Sequence, residues 1–299
     1  MRRIFISTLV IFLMTNGLFA QDLRLGIRGG LNLPNIMVGG ESTPVSEDYK
    51  SLVAGAGGIF AEYQFNKTIS LRFGVEYSGM GGKKEGMQGM PTFRLLNEMM
   101  KAPEMQGFDP GLVKMFTSQL GDYYYSDISN KVTMDYIMVP LLAQFGWNIG
   151  QSPWKVYFNV GPFASYLLAG TQKSKGESKL FTDEKGTKTL WDLIAPYESL
   201  MPSFGLTSEN IEEIKKNLNE NIDFGAFNNG EIDVTSEMQR FNWGIAGNVG
   251  FSYQFKRSSI FIEGGGNFGF IVVQKDIKSG SNRIGAGSVM LGYSYSLFN

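Results

Sequence analysis

Neither cysteine nor histidine occurs among the 299 residues. Without cysteine there is no disulfide, no thiol nucleophile and no lipidated cysteine. The absence of histidine reaches further. It removes the commonest general base, the commonest nitrogen ligand for metals and every Ser–His or Cys–His nucleophile pair. No catalytic, cofactor-binding or metal-ligating residues are therefore assigned, and the chain is not expected to be an enzyme. Charge of one sign is also lacking, with 27 basic against 28 acidic residues. Such a balance offers no electrostatic basis for nucleic acid as a partner. Beyond Ala20, no stretch approaches the ~18 uninterrupted apolar residues of a transmembrane helix.

What is present starts with an export signal. Arg2 and Arg3 precede an apolar run from Ile4 to Met14, and Leu18-Phe19-Ala20 stand before Gln21. A basic region, an apolar region and a small residue at the cut describe a cleaved signal peptide over 1–20, leaving 21–299 as one domain. Removing Arg2 and Arg3 from the 27 basic residues leaves 25 against 28 acidic, a net charge of −3. Glycine is abundant at 38 residues, and hydrophobic residues make up 43%. In a membrane protein without spanning helices, that apolar content has to be distributed over strands.

Period-two alternation appears eight times. The first stretch sets Leu23, Leu25, Ile27, Leu31 and Leu33 against Arg24, Gly26, Arg28, Gly30 and Asn32. The second, about 53–65, groups Ile59, Ala61, Tyr63 and Phe65 opposite Glu62 and Gln64, and the third sets Ile69, Leu71, Phe73, Val75 and Tyr77 against Arg72 and Glu76. Ile137 to Trp147, Val156 to Leu168 and Phe241 to Phe255 follow, then Ile260 to Phe270 and Val289 to Leu297. Short connections (Asn66–Thr68, Asn148–Pro153, Lys256–Ser259) alternate with long ones, about 34–52, 79–131 and 170–238, with 275–282 closing the set. Short turns on one side and long loops on the other describe an antiparallel up-and-down transmembrane β-barrel of eight strands, with periplasmic turns and extracellular loops.

A soluble lipocalin-like barrel would bury the large apolar face, whereas a membrane barrel turns it outward. Here the opposite face carries Gly, Ala, Ser, Asn and Gln, a set suited to a narrow lumen. Aromatics fall into two groups. Tyr63, Phe65, Phe145, Trp147, Trp154, Phe251, Tyr253 and Phe255 lie beside the short turns, and Tyr77, Tyr166, Trp243, Phe268 and Phe270 near the other strand ends. They are candidate girdles at two membrane interfaces.

Tyr136-Ile137-Met138-Val139-Pro140-Leu141-Leu142, Val160-Gly161-Pro162-Phe163, Asn242-Trp243-Gly244-Ile245 and the glycine-containing last strand resemble the PorT-like outer-membrane β-barrel family of Gram-negative bacteria. The resemblance covers the strands, roughly half the mature chain, and implies residence in the outer membrane. The family's namesake is associated with protein secretion, a role that strand motifs do not transfer. Gly292, Tyr295 and Leu297 are similar to the C-terminal signal read by the outer-membrane insertion machinery. Asn299 departs from it, following Phe298 where an aromatic terminus is usual.

Six charges share inward parity: Arg24, Arg28, Arg72, Glu62, Glu76 and Glu263. Three of each sign on a lumen face predict a salt-bridge network, because isolated buried charges are costly. The network is either a structural plug or the gate of a selective pore. Asp135 has outward parity. Seven methionines in the second long loop (Met80, Met87, Met90, Met99, Met100, Met105 and Met115) either pack locally, with a short helix at Leu95, Leu96, Met99 and Met100, or bind a soft metal. In the third, Thr207-Ser208-Glu209-Asn210 opens a charged helix through Ile211, Ile214, Leu218 and Ile222, and Leu190–Leu200 supplies a second. Gly264-Gly265-Gly266 and Gly79–Gly82 lack the P-loop spacing and read as sites of close strand packing.

The expected function is a non-enzymatic, monomeric outer-membrane barrel with a lumen plugged by charge, whose extracellular loops mediate binding or envelope interaction. The alternative is a narrow solute channel or an accessory of a secretion system. Expected partners are outer-membrane lipids, the insertion machinery and an unidentified extracellular or secretion partner. A lipid enzyme is a third class, disfavoured because known designs use histidine.

Overall fold

The computed structural model describes residues 22–40, 43–93, 121–176, 179–220, 229–276 and 279–298. The strands are β1 (Asp22–Val38), β2 (Ala54–Gln64), β3 (Ile69–Pro91), β4 (Tyr123–Asn148), β5 (Trp154–Gly176), β6 (Asn229–Asp233), β7 (Phe241–Phe255), β8 (Ser258–Gly269) and β9 (Asn282–Ser296). All pairings are antiparallel. β1 pairs with both β2 and β9, and β4 pairs with β5, so eight strands close a ring that omits β6. β6 adds to the upper part of β5 at Thr171–Lys175, after β7 has left it at Tyr166. Closure leaves no free sheet edge in the bilayer, which backbone hydrogen bonding requires there.

The apolar faces point outward. Leu25, Ile27, Leu31, Ile59, Phe73, Val249, Ile262 and Leu291 are exposed on the barrel wall, while Arg28, Asn32, Glu62, Arg72, Asn159 and Ser294 are buried inside. Aromatic rings pack against one another at both rims. Near the short turns these are Tyr63 with Phe65, Phe145 with Phe158 and Trp154 with Tyr253; at the other rim they are Trp243 with Phe270 and Phe268 with Phe270. From Trp147 to Ile137, ten residues at about 3.3 Å each and a tilt of roughly 40° give an apolar band about 25 Å tall, the height expected of an outer-membrane barrel. The short turns are tight. Asn66 Oδ1 accepts from the backbone N–H of Thr68 and of Ile69, both at 2.8 Å, and Lys256 adopts a left-handed φ of 54° between β7 and β8.

The long connections differ from expectation. The stretch 79–131 was expected to be loop, yet β3 continues to Pro91 and β4 begins at Tyr123, paired without a break from Gly79↔Asp135 to Pro91↔Tyr123. β5 likewise runs to Gly176, within the expected loop 170–238. β1 extends to Val38, inside the expected loop 34–52. The barrel therefore continues past the membrane as a stem in which polarity inverts. On β4 the outward series Trp147, Phe145, Leu141, Ile137 gives way to Asp135, Thr133 and Lys131, while the inward series becomes Tyr136, Met134, Val132 and Ile128. On β1, Asn35 succeeds Leu33 outside, and Ile36 follows Asn32 inside. Water replaces lipid as the external solvent at this level, so the apolar side moves inward. A bulge opposite Asp135/Tyr136 leaves both Leu168 and Ala169 exposed on β5 and resets its parity.

Above the stem, α1 (Leu190–Ile194), a 3-10 helix (Ala195–Phe204) and α2 (Ser208–Glu220) form a small cap. Thr189 caps α1 reciprocally with Asp192, while Thr207 Oγ1 accepts from Asn210 N–H at 3.2 Å at the start of α2. Trp191, Ile194, Met201 and Ile211 form its core. These helices fall where 190–200 and 207–218 were expected to be helical. The expected helix around Leu95–Met100, and Ile222, lie outside the described residues.

Candidate functional site

Register arranges the lumen charges. Arg24 stands opposite Glu62, which stands opposite Arg72; Arg28 and Glu76 face each other across Gly58. A Cβ at Gly58 would lie 2.2 Å from the Val75 carbonyl oxygen and 2.6 Å from the Glu76 Cα, so only glycine lets the three strands approach this closely. Over it, Arg28 donates from Nε and Nη2 to the two oxygens of Glu76, both at 2.8 Å. Arg28 Nη1 donates to Glu263 at 2.7 Å.

Glu263 is the hub. Its fully buried carboxylate also accepts from Tyr157 Oη at 2.9 Å, from Asn159 Nδ2 at 3.1 Å and from Arg72 Nη1. β3 and β8 lie on opposite sides of the eight-strand ring, so the Arg72–Glu263 pair crosses the lumen along its diameter. Arg72 Nη2 reaches Glu62 at 3.0 Å and Gln144 Oε1 at 2.8 Å. Gln144 Nε2 and Ser70 Oγ donate to Glu62, each at 2.9 Å.

Aromatic rings complete this layer. The Arg72 guanidinium lies 4.4 Å from the centre of the Phe60 ring, 5.4 Å from that of Phe261 and 5.7 Å from that of Tyr157. Each ring lies over a glycine of a neighbouring strand: Phe60 over Gly26, Phe261 over Gly292, Tyr157 over Gly250. A narrow barrel can hold three inward aromatics only where the facing positions have no side chain. Sequence reasoning missed these rings because each sits at the polar parity of its strand. The signal was an aromatic whose register partner is glycine: Gly26↔Phe60, Tyr157↔Gly250 and Phe261↔Gly292.

Five of the six expected charges thus meet in one layer, and Arg24 does not join them. Its Nε donates to Asp22 at 2.7 Å near the short-turn end, because Glu62 is already occupied by Arg72, Ser70 and Gln144. The balancing cation is Lys155, buried and lining the same small void as Arg24 and Glu62. It had not been singled out from the sequence. Asp135, outward as expected, accepts from Tyr77 Oη at 2.5 Å.

Void space in the lumen comes in small pieces. The cavity lined by Glu62, Arg72 and Lys155 measures about 20 Å³; that lined by Arg28, Asn32 and Asn267 about 20 Å³; that lined by Met80, Met138 and Phe163 about 10 Å³. Each suits a single water rather than a solute. Above them an apolar cluster of Ile36, Met80, Val132, Met134, Leu167, Val234, Met238 and Ile284 fills the stem. Within the stem a larger cavity of about 60 Å³ is bordered by Ile36, Val132, Met134 and Met238 of that cluster and by Lys84, Gln88 and Asn130. Of the seven methionines expected in a loop, Met80, Met87 and Met90 lie on β3; Met99, Met100, Met105 and Met115 lie outside the described residues.

Against this geometry, the profile of the outer membrane protein β-barrel domain matches residues 19–273. The chain belongs to that family. Comparison with curated proteins gives no match. Among solved structures, this barrel is similar to Neisserial surface protein A, with 12% identity, coverage of 92% of this chain and 97% of that one, and a TM-score of 0.34. It is similar to OprG from Pseudomonas aeruginosa, with 10% identity, coverage of 94% and 98%, and a TM-score of 0.35. For a major outer membrane protein from Thermus thermophilus the values are 11%, 92% and 99%, and 0.39. As a member of the outer-membrane barrel family, the protein has its short turns assigned to the periplasm and its stem and cap to the exterior.

Proposed function

We propose that the protein is a closed, non-enzymatic outer-membrane barrel that holds a folded stem and cap outside the cell for binding or envelope interaction. The observation that carries this reading is the Arg72–Glu263 pair across the lumen diameter, backed by Arg28–Glu76 and by three inward rings. A solute would have to break these buried pairs and then displace the apolar filling of the stem. Residues 1–20 would direct export and be cleaved, and the strand motifs favour a PorT-like branch within the family.

Planar-bilayer recording tests the plug. The wild-type barrel should show no stepwise conductance, and conductance that appears only in Arg72→Ala with Glu76→Ala would make the charge network a gate rather than a structural plug. Steady ion-selective channels in the wild type would replace this reading with the channel alternative. Copurification of secretion components would instead favour an accessory role.

A further inference from the structure

The outer wall of the stem carries an arrangement that the plug does not explain. Lys83, Lys131 and Lys173 are consecutive register partners across β3, β4 and β5, and Lys50 pairs with Lys83 on the far side. Directly opposed residues of antiparallel strands have Cα atoms about 4.5–5.5 Å apart, so three ammonium-bearing side chains spring from within roughly 10 Å of one another. Like charges directly opposed across strands destabilise a sheet.

The row is only partly neutralised. Glu85 lies 3.2 Å from Lys83 and 3.5 Å from Lys50, and Glu231 lies 2.7 Å from Lys173. Lys131, exposed at the centre, has no carboxylate within ion-pair distance among the described residues. One rung nearer the membrane, the register partners Thr133 and Thr171 add two hydroxyls to the same face.

Height and direction identify the occupant. The row shares the outward face with Tyr77, Ile137 and Tyr166, which are register partners at the upper aromatic rim. From Ile137 to Lys131 is six residues, about 15 Å above that rim at roughly 3.3 Å per residue and a tilt near 40°. The lysines therefore point sideways rather than toward the mouth, and they stand above the roughly 5–7 Å of a phospholipid headgroup layer, at a height that only a lipid with a tall saccharide headgroup reaches.

We propose that Lys83, Lys131 and Lys173, with Thr133 and Thr171 beneath them, bind the phosphates of an anionic glycolipid headgroup in the outer leaflet. The lipid supplies the missing counter-charge, and the side chains can reach down toward it as long cationic residues do at interfaces. This goes beyond the plug reading and stands or falls independently of conductance.

The test uses the full chain in zwitterionic detergent, titrated with lipopolysaccharide and, in parallel, with the same lipid after dephosphorylation. A lysine near an anionic lipid surface is worth about a fivefold change in affinity, so Lys83→Gln, Lys131→Gln and Lys173→Gln together should weaken binding by at least about tenfold. Dephosphorylated lipid should lose binding to a similar degree, and added salt should weaken the wild type more than the variant. Lys67→Gln with Lys256→Gln, at the periplasmic turns, should bind as wild type does. Lys131→Glu alone should shift affinity in the same direction and keeps the test open if the triple variant folds poorly. Equal affinity of the lysine variants and the wild type would overturn the proposal. So would a soluble sulfated glycan binding this row as tightly as the lipid.

Discussion

Glu263→Gln is the sharpest single perturbation of the lumen. The carboxylate accepts two guanidinium bonds, one phenol and one amide, and is fully buried. Glutamine keeps the volume but loses the charge, and its NH2 group would face donors on most sides. Each charge-assisted bond contributes about 1.5–3 kcal/mol, so losing two sets a ceiling near 3–6 kcal/mol. Arg28 keeps its bidentate contact to Glu76 and Arg72 keeps Glu62, which removes part of that penalty. The expected loss is about 3 kcal/mol, consistent with breaking one partner of a buried network. Urea unfolding of the protein in phosphocholine vesicles, followed by tryptophan fluorescence and by the gel mobility of unheated against heated samples, measures it. Glu85→Gln, whose partners Lys83 and Lys50 are exposed, should fall within about 0.5 kcal/mol of wild type in the same assay. If Glu263→Gln does so too, the lumen network does not hold the barrel together and the reasoning fails.

Three further outcomes follow from the same geometry. Gly58→Ala should destabilise by about 1–3 kcal/mol in that unfolding assay, since its Cβ meets backbone that cannot retreat without moving β3. Leu141→Arg, in the exposed apolar band, should cost about 2–4 kcal/mol on vesicle insertion, whereas Thr133→Arg, above the polarity inversion, should be near neutral; equal costs would place the membrane boundary wrongly. In single-tryptophan variants, Trp147, Trp154 and Trp243 should be quenched by brominated lipid and Trp191, in the cap core, should not.

Much of the barrel was legible because its physics is local. A strand with lipid on one side and a narrow lumen on the other must alternate with period two, and the eight faces read from the sequence carry the residues found outside and inside. The stem was not legible for a related reason. In β3 the apolar parity switches from Val75 and Tyr77 to Met80 and Met90, and in β4 from Ile137 to Met134 and Val132. Following one apolar face to its end stops at that switch, although the strand continues. The second long connection is therefore shorter than its polarity suggests, and Met80 and Met90 belong to the inner wall of β3.

The candidate site divides along the same line. Inward parity picked out Arg28, Glu62, Arg72, Glu76 and Glu263, which share a layer, and also Arg24, which turns to Asp22. Two arginines flank Glu62 in register, and nothing in the order of residues decides which one it accepts. Shape decides it: Arg72 is drawn to the barrel axis by Glu263 on the opposite strand and held there by Phe60, Phe261 and Tyr157. The sequence by itself determined which side of each membrane strand faces lipid, because alternation is a property of single strands. Which charges pair across the lumen, and where the barrel leaves the membrane and turns its apolar side inward, was decided by closure of the ring. Only closure brings β3 and β8 to opposite ends of one diameter and gives the strands a common interior to fill.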